Sequence, residues 1–242
     1  MTIGIRNTLV SRMAAGQLHQ TQQGLERSAM RVSSGSRIDR AGQDASGLAV
    51  STNLSSRANS VRQAVRNAND GLSILATNEG AADTFGKTLS RMRELAVQAS
   101  SETLAGTERA HVEEEFSNHV SELRRLVFAT TFNGNAIASG TARTVQVGAD
   151  NDSSHQISIS GANLKNVQIN VASSSVGTAS TAQSAIDDID TAIDSLGSAR
   201  ANLGSEMNRL EAAISNATTE IEALTSAAGR IFDTDYAEET AH

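Results

Sequence analysis

The sequence predicts a mainly α protein: an elongated bundle of long, coiled-coil-like helices in an out-and-back hairpin, with a small antiparallel β-element. Three observations predict it. Apolar residues recur three and four positions apart through two long stretches at opposite ends of the chain. Proline is absent, which removes the commonest cause of helix breaks. Of the 242 residues only 38% are apolar and 2% aromatic, little for a compact core but enough for thin seams of Ala, Leu and Ile.

Residues 5–33 read as a weakly amphipathic helix with Ala14, Leu18, Thr21, Leu25, Ser28 and Val32 on its seam. That face is too poor in large side chains to hold a helix alone, so it needs a partner. SSGSRIDRAGQDASG (33–47) is a polar, glycine-punctuated break, and a new helix starts near Gln43–Asp44, whose carboxylate suits a helix N-terminus. Its stripe runs Val50, Leu54, Ala58, Val61, Val65, Ala68, Leu72, Leu75. After a polar break at Glu79 it resumes with Ala82, Leu89, Met92, Ala96 and Ala99, Phe85 filling the gap beside Gly86.

Glu102–Gly106 is a turn, with Thr107 the expected N-cap and Glu108 favourable in the first turn. The helix to about Ala129 turns Val112, Phe116, Val120, Leu123 and Val127 inward. Thr130–Thr144 reads as a loop with a turn at Asn133-Gly134. Three alternating runs, Val145/Val147, Ile157/Ile159 and Val167/Ile169/Val171, predict a small antiparallel sheet within 144–172. A Ser/Thr/Gly-rich linker (172–181) leads into the return helix. Its seam, Ala182, Ile186, Ile189, Ile193, Leu196, Arg200, Leu203, Met207, Leu210, Ile214 and on to Ile231, is polar only at Arg200. Two long seams need cover, and each is the natural cover for the other.

The net charge of −7 is uneven. Residues 1–66 hold nine arginines against Glu26, Asp39 and Asp44, a basic arm on an acidic remainder. Such an arm suits nucleic acid or the acidic body of a neighbouring copy. It has no interleaved aromatics, so a nucleic-acid-binding protein is a distant alternative, and no nucleic acid is expected as a partner. Cysteine is absent, which excludes disulfides and thiolate metal sites. No apolar run is long enough for membrane insertion, and MTIGIRNTLVSRM lacks the apolar core of a cleaved signal peptide. His111, Glu115 and His119 share a helix face, but no further metal ligand is readable beside them. Asp150-Asn151-Asp152 begins like a calcium loop, yet His155 stands at its sixth position and Gly161 at its twelfth. No phosphate-binding loop or nucleophile motif is present. The expectation is a protein that is not an enzyme and carries no catalytic residue, cofactor or metal.

SSGSRIDRAGQDASGLA (33–49), RNANDGLSILATNEGA (66–81), RMRELAVQAS (91–100), TTFNGNAI (130–137), QVGAD (146–150) and RIFDTDYAEETA (230–241) together resemble the terminal regions of bacterial flagellins, in the same order. The resemblance implies a structural subunit of the flagellar filament, polymerising head-to-tail into a helical propeller for motility. It implies residues 1–42 as an N-terminal arm of the inner filament core and 43–232 as a helical rod domain including the β-region 144–172. Residues 233–242 would start a truncated C-terminal arm. With only 172–181 between the β-region and the return helix, the subunit would be near-minimal, without outer variable domains. Because the further C-terminal helix of the family is missing after His242, the chain by itself is expected to stay monomeric. The implied partners are other flagellin subunits, the flagellar export machinery with its chaperone, and the vertebrate flagellin-sensing Toll-like receptor. The implied location is extracellular, in the filament. A hook–filament junction protein is the alternative; RNANDG followed by RELAVQ favours flagellin. The receptor site, carried over by motif, would comprise Arg91, Leu95 and Glu115. Arg91 and Leu95 share a helix face, and Leu95, off the 92–96–99 seam, is expected to be an exposed anchor.

Overall fold

The computed structural model describes residues 6–240, and side chains from residue 9 onward. Helix α1 spans Arg6–Ser34, α2 Ala45–Ser100 and α3 Gly106–Ala129; α4 is Leu164–Val171, α5 Ala179–Phe232 and α6 Tyr236–Glu239. Two antiparallel ribbons lie between α3 and α4: β1 (Thr131–Phe132) with β2 (Asn135–Ala136), and β3 (Arg143–Gln146) with β4 (Gln156–Ile159). The fold is thus mainly α with long helices and small antiparallel β-elements. Packing divides it into two units, 61–218 and the combination of 1–60 with 219–242.

The 61–218 unit holds the main apolar core. In α2 the inward positions are Val61, Ala64, Ala68, Gly71, Leu75, Asn78, Ala82, Phe85, Leu89, Met92, Ala96 and Ala99, a strict 3-4 repeat. Val65 and Leu72, expected on this stripe, are only half-buried, and the smaller Ala64 and Gly71 take the centre. A β-carbon on Gly71 would stand 3.2 Å from both Leu210 Cδ1 and Val145 Cγ2. The backbone approach, rather than hydrophobicity, selects the residue there.

The return helix shows a heptad. Ala182, Ile189, Leu196, Leu203, Leu210 and Ala217 are buried, while Ile186, Ile193, Met207 and Ile214 are half-buried. Arg93 pairs with Asp190 and Glu79 with Arg200, so α2 and α5 run antiparallel in this unit. Helix α3 adds Val112, Phe116, Leu123 and Val127 to the core, with Val120 half-buried. Burying side chains of this size gives roughly 1.5–3 kcal/mol each.

Three local expectations need correction. The helix beginning near Thr107 starts at Gly106, with Ala105 in the N-cap position; Glu108 accepts from Ala105 N at 3.3 Å. The loop 130–144 contains the β1–β2 ribbon, turned by Asn133 (φ 48°) and Gly134 (φ 75°), both in the left-handed region a two-residue hairpin demands. Of the three alternating runs, the first two pair as β3 and β4, with Val145 opposite Ile157. The third is helix α4. Asn163 caps it by accepting from Asn166 N at 3.1 Å, and Leu164, Val167 and Val171 bury a helical stripe that leaves Ile169 outside. By contrast α2 begins as expected, Asp44 Oδ1 accepting from Gly47 N at 2.7 Å.

In the other unit, residues after α1 meet the chain leaving α5. Arg37 N donates to Phe232 O at 2.8 Å and Thr234 N to Gly35 O at 3.0 Å. Asp235 caps α6 by accepting from Ala237 N at 2.9 Å.

Candidate interaction surfaces

Helices α2 and α3 bring Arg91 and Glu115 together. Arg91 Nε and Nη2 both donate to Glu115 Oε1, at 3.0 and 2.6 Å, while Nη1 donates to Glu94 Oε2 at 3.0 Å. The bonds to Glu115 and then to Glu94 raise the guanidinium pKa above its ordinary value, and the pair stays half-exposed. His119 Nε2 stands 3.8 Å from the same carboxylate oxygen, whereas His111 faces solvent one helical turn away. Among the described residues no group of three or more histidine, aspartate or glutamate side chains is placed to hold a metal.

Leu95 does not join this surface. It is 1% exposed and belongs to the main core. The expected exposed anchor is therefore a core residue. The reason is the width of the buried stripe: Met92, Leu95, Ala96 and Ala99 are all covered, so at this level α2 is shielded over more than the single seam line. The polar pair is half-exposed, whereas Leu95 is buried in the core.

Several polar residues that the motifs did not single out hold the elements in place. Arg93 Nε donates to Asp190 Oδ1 at 2.6 Å and Nη2 to Oδ2 at 3.2 Å, a fork on a carboxylate across α2 and α5. Arg200 Nε donates to Glu79 Oε1 at 2.9 Å. Asn78 is fully buried and satisfied at both ends: Nδ2 donates to Ile137 O at 2.7 Å and Oδ1 accepts from Ala162 N at 3.2 Å. Glu206 accepts from Ser160 N at 3.0 Å, Ser160 Oγ at 2.8 Å and Gly161 N at 3.2 Å. The segment 160–162 is thus fastened to α2 on one side and α5 on the other.

Helix α1 carries several uncovered apolar side chains. Leu9, Val10, Met13, Leu18 and Leu25 are 62–69% exposed, while Ser28 and Val32 are half-buried. The basic arm is not free of intramolecular partners. Arg31 lies 3.4 Å from Glu239, and Arg57 3.0 Å from Glu220. Charge that a nucleic-acid arm would direct at phosphate is here partly turned onto the chain's own C-terminal acids.

Known proteins agree with this architecture. Residues 5–143 match the bacterial flagellin N-terminal helical region and residues 186–242 the bacterial flagellin C-terminal helical region. A flagellin of Halalkalibacterium halodurans is 38% identical over 224 residues, covering 92% of this chain and 81% of that protein. Flagellin B of Vibrio cholerae is 39% identical over 156 residues, 63% of this chain; the match spans only 42% of the longer relative. Among solved structures, Bacillus cereus flagellin superposes with a TM-score of 0.57 at 28% identity, over 63% of this chain and 88% of that one. A flagellar hook-associated protein from Vibrio parahaemolyticus superposes with a TM-score of 0.67 at 14% identity, over 79% of this chain and all of that one, a likeness of fold alone. With both terminal regions matched in order and a flagellin similar across nearly its whole length, this chain belongs to the bacterial flagellin family, the structural subunits of the flagellar filament.

Proposed function

We propose that this chain enters the filament by packing its α1 face against neighbouring flagellin subunits, head to tail. The observation that carries this reading is the row of exposed Leu9, Val10, Met13, Leu18 and Leu25 on one helix. Leu18 and Leu25 share one side of α1 while Leu9 and Met13 lie on another, so uncovered apolar surface spreads round the helix and calls for cover by another chain. A heterologous contact that does not close on itself repeats into an open helix, so one subunit type suffices for a filament. In this reading residues 1–42 form the inner arm, 43–232 the rod domain, and 233–242 lead into the C-terminal side of the same arm. The role is structural and involves no reaction.

Export by the flagellar machinery with a chaperone, and an extracellular place in the filament, are part of the same proposal, supported by membership of the family. Among the described residues no helix is long and apolar enough to cross a membrane. The Toll-like receptor that senses flagellin is proposed to contact the outer face carrying Arg91 and Glu115, with Leu95 buried in the core rather than touching the receptor. The test of the central reading is incorporation of labelled chain into growing filaments. Replacing Leu18 and Leu25 together by Asp should abolish incorporation while leaving the 61–218 unit folded; undiminished incorporation would refute the role given to α1.

A further inference from the structure

Sulfur is sparse in this chain and unevenly placed. Cysteine is absent, so the five methionines carry all of it. Met92 is fully buried in the core of the 61–218 unit, and Met207 is half-buried against that core. The other two methionines among the described residues, Met13 and Met30, both lie on α1, 69% and 39% exposed. Met13 is the more open of the pair. Leu9, one turn before it, is itself exposed, and a β-carbon on Gly16, three residues after it, would meet nothing within 4 Å. Neither helical neighbour therefore covers the thioether.

An accessible thioether reacts with hydroperoxides, whereas a buried one is shielded. The sulfur attacks one peroxide oxygen; an S–O bond forms as the O–O bond breaks. The proton on the transferred oxygen passes to the departing hydroxide, which leaves as water. Sulfur is oxidised by two electrons and the peroxide is reduced. The product, methionine sulfoxide, is polar, and sulfoxide reductases return it to the thioether.

We propose that Met13 is an oxidation-sensitive site on the assembly helix, and that its conversion to the sulfoxide by a hydroperoxide blocks entry of the chain into the filament. The inference rests on α1 being the surface that neighbouring subunits cover. As a thioether, Met13 adds apolar area on the same side as Leu9. As a sulfoxide it brings an oxygen acceptor that an apolar covering surface leaves unpaired. The core of the 61–218 unit is untouched, because Met13 takes no part in it. Assembly also protects the site: once a neighbour covers α1, peroxide no longer reaches the sulfur.

The test treats labelled parent chain with limiting hydrogen peroxide, locates each sulfoxide by peptide mass mapping, and measures incorporation into seeded filaments. Met13 should oxidise about tenfold or more faster than Met92. The oxidised parent should enter about fivefold or more poorly than the untreated chain, and sulfoxide reductases for both epimers should restore entry. Met13→Leu, close in volume, should enter normally before and after peroxide, whereas Met30→Leu should remain as sensitive as the parent. Met13→Gln, polar without any oxidant, should enter as poorly as the oxidised parent. Untreated parent and the Leu18→Asp/Leu25→Asp variant report on α1 separately. If the first enters and the second does not, the α1 reading stands, and normal entry of chains mapped as sulfoxide at Met13 overturns the oxidation site alone. Equal peroxide sensitivity of Met13→Leu and parent, normal entry of Met13→Gln, or oxidation of Met13 no faster than of Met92 would overturn it as well.

Discussion

Leu95→Ala should cost about 2–5 kcal/mol in a urea titration, the usual range for emptying a buried leucine site. Arg91→Ala should leave that titration almost unchanged, since its pairs with Glu115 and Glu94 are half-exposed. If the receptor reading is right, Arg91→Ala nevertheless weakens receptor binding while the fold, followed by circular dichroism, stays intact. Equal binding by parent and variant would move the site elsewhere. The motif RMRELAVQ does not by itself show that Leu95 points inward. A single seam line drawn through 92, 96 and 99 leaves position 95 outside; the stripe is wider because the helix is covered over a broader arc, and that information lies in residues far away in the sequence. Charge pairs at this scale also set a pH response. The Arg93 guanidinium holds the Asp190 carboxyl below its usual range, and Lys87 and Arg125 do the same for Asp83 and Glu122. A carboxyl with a depressed folded-state pKa contributes stability above its unfolded value near 4, and loses it as pH falls through the folded one. Melting temperature should therefore be level from neutral pH to about 5 and fall below about 4. Asp190→Asn should flatten that fall, and an identical acid limb in the variant would show that the pair is not coupled to folding.

At the scale of elements, periodicity was legible where it was long and ambiguous where it was short. The return helix reads correctly because its 4-3 pattern persists from Ala182 to Ile231. Its one polar interruption, Arg200, and the polar break of the facing seam, Glu79, are partners in the structure. Two apparent defects, far apart in sequence, thus mark one register point of the helix pair. The run Val167/Ile169/Val171 misled because three β-branched residues at spacing two imitate a strand, while Leu164, Val167 and Val171 carry the helical period that packing selects. Asn163, a capping residue just before that stripe, was the available signal for a helix start. Likewise Asn78 looks like a surface residue by type, and nothing local reveals that two backbone groups 59 and 84 positions away bury it. Leu210→Asp tests the seam directly. It places an unpaired charge in the core beside Gly71 and should cost about 3 kcal/mol or more. A melting temperature within a degree or two of the parent would contradict the assignment of that helix face.

For the whole molecule, the contrast between the two helix-borne faces carries the functional account. The seams of the 61–218 unit are covered by their own chain, whereas the α1 face, weak in sequence and lined by Leu18 and Leu25, remains exposed. That division was foreseeable from composition: strong seams close on themselves, and a marginal amphipathic helix waits for another molecule to cover it. The most direct test is co-assembly. Fluorescently labelled chain is mixed with flagellin monomers and sheared filament seeds, and labelled filament length is measured by microscopy. The account predicts label along the newly grown filament for the parent and none for the Leu18→Asp/Leu25→Asp variant. Filaments that exclude the parent chain, or admit the variant equally well, would contradict it.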